Sequence, residues 1–199
     1  MLVAAALGVA TGLISTLPSP FPDLRIDDPE IIINAENIPL HAGIVFAAML
    51  AALLWFWHER DPGKCLLTAG LTLLGWLTAV NTANDVMSGI IASDLFGTTQ
   101  GAKGSREVLG WLVAGLVGGL IGAGFTACGV SIAAPSIRHA AAWALILGSG
   151  TLLGLLLYPA ARLDAGFLLF VPWQAAVAAS IAYGLSRPES GSQPQQAPR

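Results

Sequence analysis

The chain has 199 residues and a formal net charge of −3; 55% of its residues are hydrophobic and 11% are charged. A soluble domain carries roughly 25% charged residues, and a mean hydropathy of +0.71 lies far outside that class. No Lys/Arg cluster exists that could follow a phosphate backbone, so nucleic acid is not expected as a partner. Apolar runs that do not alternate with polar residues argue against a transmembrane β-barrel.

The first apolar run covers residues 2–17 and stops at Pro18-Ser19-Pro20. It could serve as the apolar part of a signal peptide. It lacks a basic flank and an A-x-A cleavage pattern, so an uncleaved, short first span is expected. Residues 18–37 read as a polar loop, with Asp23, Asp27, Asp28, Glu30 and Glu36 against Arg25; Ile31, Ile32 and Ile33 within it are expected to turn back to the membrane interface.

The second run, 40–57, ends in Trp55-Phe56-Trp57, an aromatic belt at one membrane surface. A tight charged turn follows, in which Asp61 is placed to cap a helix and Pro62 to occupy its first position. The third run, 65–92, would measure about 42 Å as a helix against a ~30 Å hydrocarbon layer, so it must tilt, break or project into water. A Gly-containing loop over 93–105 leads to the fourth run, 108–134, closed by Pro135. The fifth run covers 140–161 and the sixth 167–185, and the tail 186–199 is polar, rich in Pro and Gln, and expected to be disordered.

The expected fold is thus an all-α, polytopic helical membrane bundle of about six spans within a single unit over 1–185, with the lipid bilayer as its solvent. Orientation follows from the basic residues. With both termini cytoplasmic, Arg60, Lys64, Arg138, Arg187 and Arg199 lie inside, and Arg25, Lys103, Arg106 and Arg162 outside. This narrow majority agrees with the positive-inside rule and with a multi-pass protein of the plasma (inner) membrane.

The fourth run carries two lines of small residues: Gly115, Gly119 and Ala123 on one, Gly118 and Gly122 on the other. Gly150 and Gly154 repeat the device in the fifth run. Such residues let helix backbones approach closely in lipid. They serve either to pack one bundle or to form a seam with a second copy or a partner membrane protein.

The third run holds the one sustained polar stripe. Thr78, Asn81, Asp85 and Ser88 share a helix face, flanked by Thr82 and Asn84. Asp85 is the only acidic residue inside an apolar run, and a charged Asp at a helix centre costs about 2.5–3.5 kcal/mol on insertion scales. It sits near the far edge of the hydrocarbon layer, so the stripe describes an outer vestibule better than a pore. Gln174, which follows Pro172 and Trp173, is the best polar group on another helix, because proline frees a backbone carbonyl that can line a polar cavity. His41 begins the second run on the same side. The expected ligand site therefore combines Asp85, Asn81, Gln174, Asn84, Ser88 and His41. The plainer alternative pairs Asp85 with Arg106 or Arg162 at the surface.

His58, Cys65, Cys128 and His139 fall on the opposite side, but their spacing matches no zinc or haem motif, and no cofactor is expected. No HExxH or CxxC motif is present, and Ser88-Gly89 and Ser149-Gly150 lack the context of an intramembrane serine protease; no enzyme is expected. The leading expectation is a small transporter or a solute- or cation-binding membrane protein with an outer-facing polar site. The alternative is a structural or accessory subunit that docks a partner through its Gly/Ala-rich faces.

Overall fold

The computed structural model describes residues 1–27, 30–35, 38–58, 60–93 and 100–187. The chain is an all-α bundle with helices α1 (Leu2–Ile14), α2 (Leu40–Trp57), α3 (Pro62–Ala92), α4 (Gln100–Ala133), α5 (Ala140–Gly154), α6 (Leu157–Arg162) and α7 (Phe167–Leu185). Two short strands, β1 (Leu24–Asp27) and β2 (Glu30–Asn34), pair as an antiparallel hairpin between α1 and α2. Five helical segments are long and apolar enough to cross a membrane: α2, α3, 104–133 of α4, α5 with α6, and α7. They are compatible with a multi-pass integral membrane protein.

Local chemistry explains most helix ends. Asp61 caps α3, its Oδ1 accepting from Gly63 N (2.8 Å) and Lys64 N (3.4 Å), with Pro62 at the first helical position. α3 has 31 residues and α4 has 34. At 1.5 Å per residue they reach about 46 and 51 Å, so both extend past a ~30 Å hydrocarbon layer. Where one fifth span was expected, the helix breaks at Leu155-Leu156, because Pro159 cannot donate to the carbonyl four residues back. The first run supplies only the 13 residues of α1 as helix. Its last turn is loosened by hydroxyls that take backbone carbonyls: Thr11 on Gly8 O (3.1 Å), Ser15 on Thr11 O (2.8 Å) and Thr16 on Leu13 O (2.7 Å).

The expected loop at 18–37 contains the hairpin instead. Ile32 is buried, and Asn34 is 1% exposed. Asn34 Nδ2 donates to the carbonyls of Phe21 (3.0 Å) and Pro22 (2.8 Å), and its Oδ1 accepts from Ser19 Oγ (3.0 Å) and from Leu40 N (2.8 Å) at the start of α2. One amide thereby ties the hairpin to the segment that precedes it and to the start of α2. Asp28, Glu36, Glu59, residues 94–99 and the residues from 188 on, including Arg199, lie outside the described residues, as do the side chains of Asp27 and Lys103.

Each helix packs chiefly on two neighbours: α1 on α2 and α7, α2 on α3, α3 on α4, α4 on α5, and α5 on α7. The helices therefore form a closed ring in which α7 returns to α1. At the end away from the hairpin the ring is filled by Leu50, Leu54, Val130, Ile137, Ile146 and Ile181, all fully buried. Towards the hairpin end it is not filled.

Candidate functional site

Helices α2 to α7, with Ser15, Thr16 and Leu17 just after α1, line a chamber of about 720 Å³ inside the ring. Five aromatic side chains wall it: Phe46 from α2, Trp76 from α3, Trp111 from α4, and Phe170 and Trp173 from α7. Two aromatic pairs reach across the ring, Phe46 with Trp173 and Trp76 with Phe170, each at 5.6 Å between ring centres. Trp173 Nε1 donates to Gly150 O (3.0 Å), which fixes the indole between α7 and α5. On α4 the lining is made of Ala114, Gly115, Gly118, Gly119 and Gly122.

Along α3 the lining runs from Thr72 to Met87, and along α4 from Trp111 to Thr126. Both stretches correspond to a depth of about 22 Å at 1.5 Å per residue. The volume is drawn out along that depth, which makes the chamber a slot rather than a wide hall. The hairpin contributes Ile32 to the lining and stands over the slot. Asp23, Arg25 and Asp164 border it at that end, all three of them exposed.

Polar groups in the wall are few. Thr126 Oγ1 donates to Gly122 O (2.8 Å). Thr72 is only 3% exposed, lines the chamber, and its hydroxyl has no hydrogen-bond partner. A helical Thr ordinarily returns its hydroxyl to a carbonyl one turn back; here the oxygen is enclosed within the wall and is not open to the chamber.

The expected site residues do not converge on one point. Asn84 lines the chamber, whereas Asp85 and Ser88 are exposed on the outside of α3. Among the described residues no ion pair includes Asp85: Arg106 donates to Ser93 O, and Arg162 lies 4.0 Å from Glu107. Asn81 grips the hairpin, its Oδ1 accepting from Ile32 N (2.7 Å) and its Nδ2 donating to Ile32 O (2.9 Å) and Leu77 O (2.8 Å). Gln174 is fully buried; its Nε2 donates to Ser15 Oγ (2.9 Å), and its Oε1 has no partner. His41 Nε2 lies 3.2 Å from Ile14 O, which places its proton on that nitrogen and turns it to the end of α1 rather than to Asp85.

The glycines expected at helix contacts face one another within the chain. A Cβ on Gly115 would overlap the carbonyl of Gly154, and one on Gly119 that of Gly150, so α4 and α5 meet backbone to backbone. Gly118 faces Ala79 and Ala83 of α3, and Gly122 faces the Trp173 ring. The second glycine seam, unforeseen, is on α1, where a Cβ at Gly8 or Gly12 would come within 2.6 Å of the α7 backbone. On the opposite side of the molecule Cys65 is buried and Cys128 exposed, and His139 Nδ1 caps α5 by accepting from Ala142 N (3.3 Å). Among the described residues no three His, Cys, Asp or Glu side chains come together as metal ligands.

Residues that sequence reasoning passed over include Thr72, Trp76, Trp111, Asn34 and Asp164. The chain matches no protein-family model, no curated protein and no solved structure.

Proposed function

We propose that the protein is a small transporter or solute-binding membrane protein whose site is the chamber within the helix ring. The observation that carries this reading is an aromatic-walled slot of about 720 Å³ inside the ring. Small-molecule sites are concave, mostly apolar, and carry a few polar groups that orient the ligand, with volumes of about 300–1,000 Å³. The site has moved inward from the exposed Asp85 to the face of α3 that holds Asn84 and Thr72.

The chain lies in a plasma (inner) membrane with the hairpin outward. Arg60, Lys64, Arg138 and Arg187 at the other end support that orientation. The solute therefore reaches the chamber from outside, past the hairpin.

The test is binding of the fluorescent apolar probe 1-aminoanthracene to the protein in lipid nanodiscs, for wild type and Val80→Trp. Val80 lines the slot about midway along α3, and an indole there would take up space that a ligand needs. Saturable binding to wild type that weakens at least tenfold in the variant supports the reading. Equal, non-saturable partitioning into both proteins and into empty nanodiscs rejects it.

A further inference from the structure

The two ends of the chamber differ in chemistry, and the difference selects a class of ligand. Below the rim the lining holds no charged side chain. At the rim stand three charged groups, and Arg25 is already engaged by Glu30 at 3.3 Å. That leaves the carboxylates of Asp23 and Asp164, for which no ion pair occurs among the described residues. Asp164 is held outside the run of α6 by a left-handed backbone, φ 48°, a conformation that Asp and Asn tolerate better than other side chains. Two uncompensated negative charges beside a narrow aromatic slot attract a cation and repel an anion.

We propose that the ligand is a single-chain amphipathic organic cation, resting on the chamber reading above: its apolar body fills the slot and its ammonium group stays at the rim between Asp23 and Asp164. Three observations converge on it. The depth, about 22 Å at 1.5 Å per residue, suits an elongated body. The aromatic walls offer apolar surface and π-faces that also attract ammonium groups. The interior has no counter-ion, so a charge cannot follow the body inward without a large desolvation cost.

The experiment is displacement of 1-aminoanthracene in nanodiscs by three probes of equal chain length, each below its micelle concentration: dodecyltrimethylammonium, dodecanol and dodecyl sulfate. The cation is expected to displace best and the sulfate worst. Asp23→Asn and Asp164→Asn are each expected to weaken the cation about three- to fivefold at low salt, a difference that shrinks at high salt because exposed charges are screened. Dodecanol should be unaffected by either substitution. Both positions are exposed, and Asn keeps the left-handed backbone at 164, so folding is not at stake. Equal displacement by all three probes overturns the assignment of a cation while the chamber reading stands, as does tighter binding of the sulfate. Failure of all three to displace a probe that does bind overturns the single-chain assignment. Failure of 1-aminoanthracene to bind wild type removes the chamber reading and this one together.

Discussion

Asn81 holds the hairpin over the chamber through the backbone of a single residue, and its removal has a calculable effect. The Oδ1 accepts from Ile32 N at 2.7 Å and the Nδ2 donates to Ile32 O at 2.9 Å. Each such bond contributes about 0.5–1.5 kcal/mol net, so Asn81→Ala should ease local detachment of the hairpin by about 1–3 kcal/mol. At 1.4 kcal/mol per tenfold, the detached population rises about five- to 150-fold. The helix ring should be untouched, since the third bond of Asn81, to Leu77 O, is internal to α3. Hydrogen exchange at the Ile32 amide reads the effect directly, and trypsin cleavage after Arg25 in β1 reads it independently. Both should accelerate while thermal unfolding of the helices shifts little. Unchanged exchange at Ile32 would refute the idea that Asn81 fastens this element.

Three further predictions bear on the ring. Gly119→Ala should lower stability by about 1–3 kcal/mol through overpacking, because its Cβ would meet the Gly150 carbonyl; Gly148→Ala, with open space around it, should be neutral or stabilising, and unfolding in graded denaturant separates the two. Gln174→Leu should cost less than about 1 kcal/mol, since an interhelical hydrogen bond in a bilayer averages about 0.6 kcal/mol and an unpartnered Oε1 is removed with it. Gln174→Ala should cost about 2–4 kcal/mol by opening a hole in a fully buried position; equal melting of the two variants would show that packing at this point is unimportant. Asp61→Ala should cost about 0.5–2 kcal/mol by uncapping α3, visible as faster amide exchange at Gly63 and Lys64.

Hydropathy made the bundle legible, because twenty apolar residues in sequence have few other fates. It placed α2 and α7 at their observed bounds, and Asp61-Pro62 announced the start of α3. What escaped depends on partners distant in sequence. The hairpin was hidden because its strands are short and its anchor, Asn81, lies 49 residues from Ile32. Helical spacing put Asn81, Asp85 and Ser88 on one face, and Asn84 beside it. It could not say which side of that face turns inward: the ring takes Asn84, gives Asn81 to the hairpin and leaves Asp85 outside. Thr72 drew no attention because a lone hydroxyl in an apolar run is usually bonded to its own helix, and only three-dimensional packing shows that this one is not. The glycines were recognised as contacts, yet one pattern serves two purposes. The face of α4 that meets α5 also borders the chamber, so a bulky replacement at Gly115 or Gly119 tests ring closure and cannot by itself reveal a partner protein.

The closing contact of the ring joins the first helix to the last, and this has a consequence for how the molecule is made. At 13 residues, α1 spans only about 20 Å of a ~30 Å layer, and its fastening to Gln174 reaches across 159 positions of chain. During synthesis α1 must wait beside an incomplete set of helices until α7 emerges. Before that moment the aromatic slot is an open cleft facing lipid. Insertion machinery that shields such a cleft, or a bilayer thin enough to tolerate a short helix, would set the yield of this protein more than the stability of the finished ring does. Chains cut before residue 167 should accordingly be lost to degradation rather than accumulate as smaller bundles.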